Sequence, residues 1–361
     1  MAIRFPELGF YTLPGRVSDP RPMLDELADA ERLGLGSAWI SERQDVKEAA
    51  VLSGAATVAT REMAIAVGVT NPNTRHPVMT AAIGSTASAL GGGRFALGLG
   101  RGFAMRSDMW GLPRVTRAML ADNAHLLRRL WAGEKVMGHD GPAGKFAYLS
   151  LDCTVDPPPP LLVAALGPKS QELGGRVFDG VLLHSHWTDA AVAACAKRVR
   201  GAAERAGRDP GAVQVWSCLV VACDLPEEVE LRHVVRRMTS YMQIPGYGEL
   251  IVDANGWDRT VLDRLRAHPV CQRGLIDAMQ LSADDLRSLR DVYPESWLRA
   301  GNAIGSPEQC ARRIADQFAA GAAGVVLHAS APREMVPLLD AWAAIRPADR
   351  FAGRSPVPGR S

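Results

Sequence analysis

No Cys-x-x-Cys pair occurs in this chain, although it holds six cysteines: Cys153, Cys195, Cys218, Cys223, Cys271 and Cys310. At 361 residues it is also far longer than the small secreted domains that depend on disulfides. A zinc ribbon and a disulfide frame are thereby excluded, and the cysteines read as small buried hydrophobes in a reducing compartment. Long apolar runs are missing too. Nothing approaches the ~20 residues that a membrane span needs. The N-terminus passes almost directly into the apolar segment Leu8–Leu13, with no basic start and long hydrophobic stretch before it. A soluble, cytoplasmic protein with no membrane partner is the expectation. Neither sign of charge dominates: the formal net charge is +2 and no Lys/Arg block runs through the body, so nothing calls for nucleic acid. Arginine does recur in the tail, at Arg346, Arg350, Arg354 and Arg360, among Pro356, Pro358 and Gly359. Residues 348–361 therefore read as a flexible tail after a single domain of residues 1–347. No His/Asp/Glu set has metal-ligand spacing, so no metal is expected. No G-x-S-x-G elbow appears, and no G-x-G-x-x-G follows the first strand, which excludes a Rossmann fingerprint.

What is present is an alternation of short apolar runs and longer amphipathic ones. Strands are expected at Leu8–Leu13, Ser37–Ser41, Met63–Val69, Arg94–Leu99, Leu161–Leu166, Gly180–His184, Val213–Cys223 and Gly324–His328. Between them run helical patterns, the first capped by Asp19 with Pro20 in its opening turn, the last opened by the capping box Ser306-Pro307-Glu308-Gln309. Strands alternating with helices imply right-handed crossovers and a parallel sheet. A doubly wound open sheet is the rival arrangement, but eight repeats favour closure into an α/β (β/α)8 TIM barrel. Such a barrel takes roughly 250 residues, and the surplus falls into insertions after strands four (about 104–156, with a hairpin in 133–156) and seven (about 225–303, helical and without a strand pattern).

In such a barrel the active site lies on the loops that follow the strands. Glu42 and Arg43 follow strand two, as a site pair or a surface ion pair. Thr70-Asn71-Pro72-Asn73-Thr74-Arg75-His76-Pro77 follows strand three, and His76, before a helix-opening proline, reads as structural. Gly98-Leu99-Gly100-Arg101-Gly102 follows strand four. Its glycines let the backbone approach a flat ring or phosphate, with Arg101 adding charge, or simply make a tight turn. Gly167-Pro168-Lys169-Ser170 opens a helix, either as a phosphate cradle or as an ordinary helix start. His184 and His328 end strands facing the mouth and are candidates, with Glu42, for proton transfer or substrate contact; His186 reads as a loop residue.

Together these loops resemble the bacterial-luciferase-like superfamily, and within it the coenzyme-F420-dependent branch. The likeness rests on GVTNPNTRHPVMTAA (Gly68 to Ala82), LGGGRFALGLGRG (Leu90 to Gly102), GPKSQELGGRVFDGVLL (Gly167 to Leu183) and the terminal GSPEQCARRIADQFAAGAAGVVLH. The first and third are especially similar to methylenetetrahydromethanopterin reductases. The resemblance implies an oxidoreductase with F420 across the barrel mouth, and a homodimer. It implies a non-prolyl cis peptide at Gly68–Val69 backing the ring, with Thr70 and Asn71 at its edge. It also implies that Gly100, Arg101 and Gly102 lie beside the cofactor, that Gly167, Pro168 and Lys169 hold its phosphate, and that Glu42 makes an acidic contact to it. An FMN-dependent monooxygenase and a non-catalytic flavin carrier are the alternatives on the same scaffold. One departure stands out. Sugar-phosphate dehydrogenases of this branch carry an Asp-His pair where this chain has Glu42-Arg43, so the histidine that would act there is absent. The 225–303 insertion is expected to form a lid that selects the substrate.

Overall fold

The computed structural model describes residues 3–360. Its strands, in chain order, are β1 (Phe5–Thr12), β2 (Leu35–Ile40), β3 (Ala64–Thr70), β4 (Phe95–Leu99), β5 (Val136–Gly141), β6 (Gly144–Leu149), β7 (Leu161–Ala164), β8 (Gly180–Leu182), β9 (Gln214–Cys223), β10 (Asn302–Gly305) and β11 (Gly324–His328). β1, β2, β3, β4, β7, β8, β9 and β11 pair in that order, all parallel, and β11 returns to β1. This is a closed (β/α)8 barrel, not an open sheet. Every residue of β1, β2, β4 and β9 is buried. Strands covered on both faces produce such unbroken apolar runs, which is why they were visible in the sequence.

Large and small side chains alternate inside the barrel. Trp39 and Trp216 meet at 5.3 Å between ring centroids, and Ala64, Ala66 and Ala96 leave the room they need. Glu7 is fully buried in β1. It accepts hydrogen bonds from Arg346 (2.6 and 2.9 Å) and from the Trp342 indole (3.0 Å), tying the helix Val336–Ile345 to the first strand.

Several expectations are corrected. The first helix opens at Pro22, because Asp19 is taken up by the backbone N–H and guanidinium of Arg21 and caps nothing. The segment expected to lack a strand ends in β10, which extends the sheet from the upper half of β9. At four residues it is too short to show a period. Cys153 is exposed and Cys271 only half-buried, so two of the cysteines are not core residues. The C-terminal segment, expected to fray, closes the floor of the barrel: Val357 is buried among Leu162, Trp216 and Val326. Gln214, the first residue of β9, accepts from the Gly359 N–H and donates to the Arg360 carbonyl, both at 2.9 Å. Proline and glycine content suggested a loose end; burial of one valine and a fixed glutamine clamp override it. Val357→Ala is expected to lower the unfolding free energy by about 2 kcal/mol, read as a shift in urea midpoint. An unchanged midpoint would mean that the tail does not belong to the folded unit.

The stretch between β4 and β7 carries the helix Arg117–Trp131 and the antiparallel hairpin β5–β6. The stretch between β9 and β10 is a run of short helices from Glu227 to Ala300. These helices gather around the end of β9 in an apolar cluster of their own, including Met238, Ile251, Leu265, Leu289 and Trp297.

Candidate active site

The loops at the C-terminal ends of the strands enclose a cavity of about 1270 Å³. At its floor the register of β3 against β4 slips between Val67 and Thr70, and the Gly68–Val69 peptide within that bulge is cis, as the resemblance implies. The Tyr11 hydroxyl donates to the Gly68 carbonyl at 2.8 Å. The glycines of the next loop answer to this bulge. A Cβ on Gly100 would stand 2.3 Å from Val69 Cγ2, and one on Gly98 2.3 Å from the Val67 carbonyl and 2.8 Å from Val69 Cγ1. Neither sequence reading of these glycines included that: two of them vacate space for the bulge of the neighbouring strand. Asn71 donates from Nδ2 to the Gly100 carbonyl (2.8 Å) and accepts at Oδ1 from Gln44 (2.5 Å), lacing three loops together. Arg101 lines the cavity and donates from Nε to the Val115 carbonyl at 2.9 Å.

Glu42 does not stand free at the mouth. Its side chain has no exposure, and its oxygens accept from both terminal nitrogens of Arg75, from the Thr70 hydroxyl (2.6 Å) and from the Ala49 N–H (3.3 Å). Arg75 also reaches Glu48, which caps the following helix Ala49–Ala59. A carboxylate with every lone-pair direction engaged is a strut that holds the β2 and β3 loops, not a mobile acid. Thr70 is its partner, hydroxyl turned into the same network, and it does not line the cavity. Glu42 and Arg43 do not pair with each other.

The histidines divide sharply. His186 is fully buried and donates from Nδ1 to Asn302 Oδ1 at 2.8 Å. Its carbonyl accepts from Asn255 at 2.9 Å, so it pins the second insertion to the barrel. His76 caps the helix Pro77–Leu90, accepting from the Val78 N–H, and lies outside the cavity. His184 and His328 both line the cavity. His328 is buried beside the Tyr11 ring (5.1 Å), and its Nδ1 has no partner within the protein. His184 sits edge-on to Tyr241 at 4.1 Å. Burial, reinforced by the charge of Arg237, pushes both imidazoles well below their usual range and holds His186 down at about 3. All three rings are neutral at pH 7.

The helix Pro168–Val177 points its start into the same cavity, with Gly167 at the cap and no side chain closing it. Lys169 beside it is exposed and engaged in no ion pair. An uncapped helix N-terminus with a free lysine suits an anion. Residues from the insertion complete the wall: Tyr241 and Tyr247 stack at 5.7 Å, and Phe103 meets Tyr247 at 5.1 Å. Arg43 donates to the Tyr241 hydroxyl at 3.2 Å, and Arg237 lies over the Tyr241 ring at 5.0 Å. Burial raises the Tyr241 phenol, but the two guanidiniums outweigh it and hold the phenol below its usual range.

Residues 8–324 match a family model described as luciferase-like monooxygenase. The chain belongs to the luciferase-like monooxygenase family. This luciferase-like chain is 27% identical over 305 residues to the 5,10-methylenetetrahydromethanopterin reductase of Methanolobus tindarius, covering 82% of this chain and 86% of that one. It is 33% identical over 183 residues to the F420-dependent glucose-6-phosphate dehydrogenase of Beutenbergia cavernae, covering 46% and 53% respectively. Among solved structures, the coenzyme F420 dependent tetrahydromethanopterin reductase of Methanopyrus kandleri superposes with a TM-score of 0.77 over 96% of this chain and 99% of that one, at 19% identity. In this luciferase-like barrel the cavity gathers Gly68, Val69, Asn71, Gly100, Arg101, Gly102, Gly167, Pro168, Lys169, His184 and His328 from the sequence-derived set, together with Glu42 as a strut. The sequence reading missed Tyr11, Arg75, Arg237, Tyr241 and Tyr247. Arg237 and Tyr241 are four apart on one helical stretch and so share a face, a local signal that the sequence reading did not use.

Proposed function

We propose that this protein is an F420-dependent oxidoreductase that moves a hydride between C5 of the deazaflavin and a small organic substrate. The observation that carries the reading is that one cavity holds both halves of such a cofactor's requirements. Val69 and His328, whose buried Nδ1 lacks a partner among the described residues, both line it, and an uncapped helix start with a free lysine supplies an anion site. The naming of the curated relatives as F420-dependent enzymes supports it. When bound, the deazaflavin supplies the carbon that gives or takes the hydride. The protein's share is placement. Gly167 and Lys169 hold the phosphate through backbone N–H groups and the ammonium, with Pro168 fixing the turn between them, and Arg101 balances further negative charge. Val69, with Asn71, Gly100 and Gly102 around it, forms the seat of the ring. Tyr247, Phe103 and the insertion above them exclude water. His184 and His328, neutral at pH 7, are the groups able to give or take the accompanying proton, and the unpartnered Nδ1 favours His328.

Titrating the purified protein with F420 and with FMN, followed by quenching of tryptophan fluorescence, tests the reading. F420 is expected to bind and FMN to bind far more weakly. Tight FMN binding without F420 binding would transfer the protein to the oxygen-activating monooxygenases. F420 binding with no change in the 420 nm band across a broad panel of alcohols, aldehydes, enones and imines would make it a carrier.

A further inference from the structure

We propose that the substrate carries an oxyanion head group, received between Arg43 and Arg237, with its apolar body against Tyr247, Phe103 and the insertion. The inference rests on the reading of the cavity as a cofactor and substrate site, and it names the class of substrate.

Arg43 follows β2 and Arg237 opens the helix Arg237–Met242 of the insertion; both line the cavity. Among the described residues no carboxylate lies within 4.0 Å of either guanidinium, whereas two other arginines of the same cavity are matched: Arg266 pairs with Glu249 at 2.6 Å and Arg106 with Asp45 at 3.7 Å. The acidic neighbour of Arg43 in sequence, Glu42, is turned away into Arg75. Asp277 bears on Arg43 only at longer range. What the two guanidiniums share is Tyr241: Arg43 donates to its hydroxyl at 3.2 Å, and Arg237 covers its ring at 5.0 Å with its Nε buried and unpartnered. Guanidinium stays charged at any working pH, and a partly desolvated cation without a counter-charge is costly. Two such cations flanking one aromatic ring, facing an open cavity, are the arrangement that an incoming anion completes.

The anion is the substrate's rather than the cofactor's. The place suited to the cofactor phosphate is already furnished with its own cation, Lys169, at the end of β7. The charge of Arg237 bears instead on Tyr11, His184, Cys218 and His328, the groups grouped over the barrel interior where a reacting molecule would sit. Around the two arginines the wall is apolar or aromatic, with Ile244 and Leu275 beside Tyr247 and Phe103. The cavity therefore fits an organic acid or phosphate ester with a hydrophobic body and not a neutral polyol.

The test uses the F420-loaded protein with benzoate, phenyl phosphate and neutral benzyl alcohol as probes, followed by titration calorimetry. F420 affinity is measured separately in each variant, so that failure of the cofactor reading shows itself in the wild type before any probe is added. At least one anionic probe is expected to bind and benzyl alcohol to bind much more weakly. Arg43→Met and Arg237→Met are each expected to weaken the anion roughly 10- to 100-fold, with F420 affinity held within about threefold of the wild type, while Arg237→Lys recovers part of the loss. Melting temperatures confirm that each variant is folded, and Arg237→Lys serves as the folded comparison if Arg237→Met is not. Failure of both anions to bind, equal binding of benzyl alcohol, or unchanged anion affinity in both methionine variants overturns the proposal. A parallel loss of F420 and anion affinity also overturns it, because the arginines would then serve the cofactor.

Discussion

Glu42→Ala is expected to lower the unfolding free energy by about 3 kcal/mol and to weaken F420 binding along with it. The carboxylate is the hub of a buried network, and its removal leaves the Arg75 guanidinium facing a void, with only Glu48 and two threonine hydroxyls to meet it. Breaking one side of a buried pair costs more than the pair itself contributes, since the surviving charge has lost its compensation. The same carboxylate accepts from Thr70, the last residue of β3, so the bulge at the cavity floor loses its tether. Glu42→Gln keeps one acceptor oxygen, enough for the Ala49 N–H or the Thr70 hydroxyl but not for both, and is expected to fall between. Denaturant unfolding of both variants checks this. A Glu42→Ala protein as stable as the wild type would show that the network contributes nothing and would return Glu42 to the list of free acids.

Stability is also expected to fall steeply in mild acid. His184, His186 and His328 have folded-state pKa values well below the ordinary 6.5, His186 at about 3, and burial lowers His233 as well. Above pH 6.5 these rings are neutral whether the chain is folded or not, and they contribute no pH dependence. As the pH drops through 6.5 the unfolded chain takes up protons that the folded chain refuses, so unfolding becomes progressively easier. Each refused proton corresponds to a limiting slope of about 1.4 kcal/mol per pH unit, so the three strongly depressed rings together give about 4. Measured from pH 6.5 down to about 5, before carboxylates such as Glu31 and Glu48 enter, the slope reports these histidines. His328→Gln is expected to remove one proton's share of it, about 1.4 kcal/mol per pH unit. A flat profile across that interval in the wild type would mean that the rings are hydrated or paired in solution.

The barrel was legible because closed parallel strands are written as uninterrupted apolar runs, and Leu8–Leu13, Met63–Val69 and Gly324–His328 fall on β1, β3 and β11 within a few residues. The loops that line the cavity were legible as ordered runs of glycine, asparagine and proline after β3, β4 and β7. What was not legible depends on pairs far apart in the chain. Arg43 and Tyr241 are separated by 198 positions, and no local pattern joins them. Glu42 looked available because its partner Arg75 was buried in a loop that read as a string of turn formers. His184 and His186 are two residues apart; the first read as a residue of the mouth and lines the cavity, whereas the second read as a loop residue and is fully buried, holding Asn302. The tail was misjudged for the converse reason: composition describes what a segment prefers alone, and a single clamp on Gln214 outweighs it.

The second insertion has an apolar cluster of its own around the end of β9 and is tied to the barrel by the β9–β10 ladder and by hydrogen bonds of His186 with Asn302 and Asn255, of Arg43 with Tyr241 and of His233 with the Val221 carbonyl. A droplet that packs mainly on itself drifts under its own rules. Its loops are free to change length and chemistry while the barrel beneath keeps the geometry of the bulge and the helix start. Exchange of that segment between relatives, cut at the start of the helices and at Asn302, is thus expected to change what the cavity admits while the barrel stays folded.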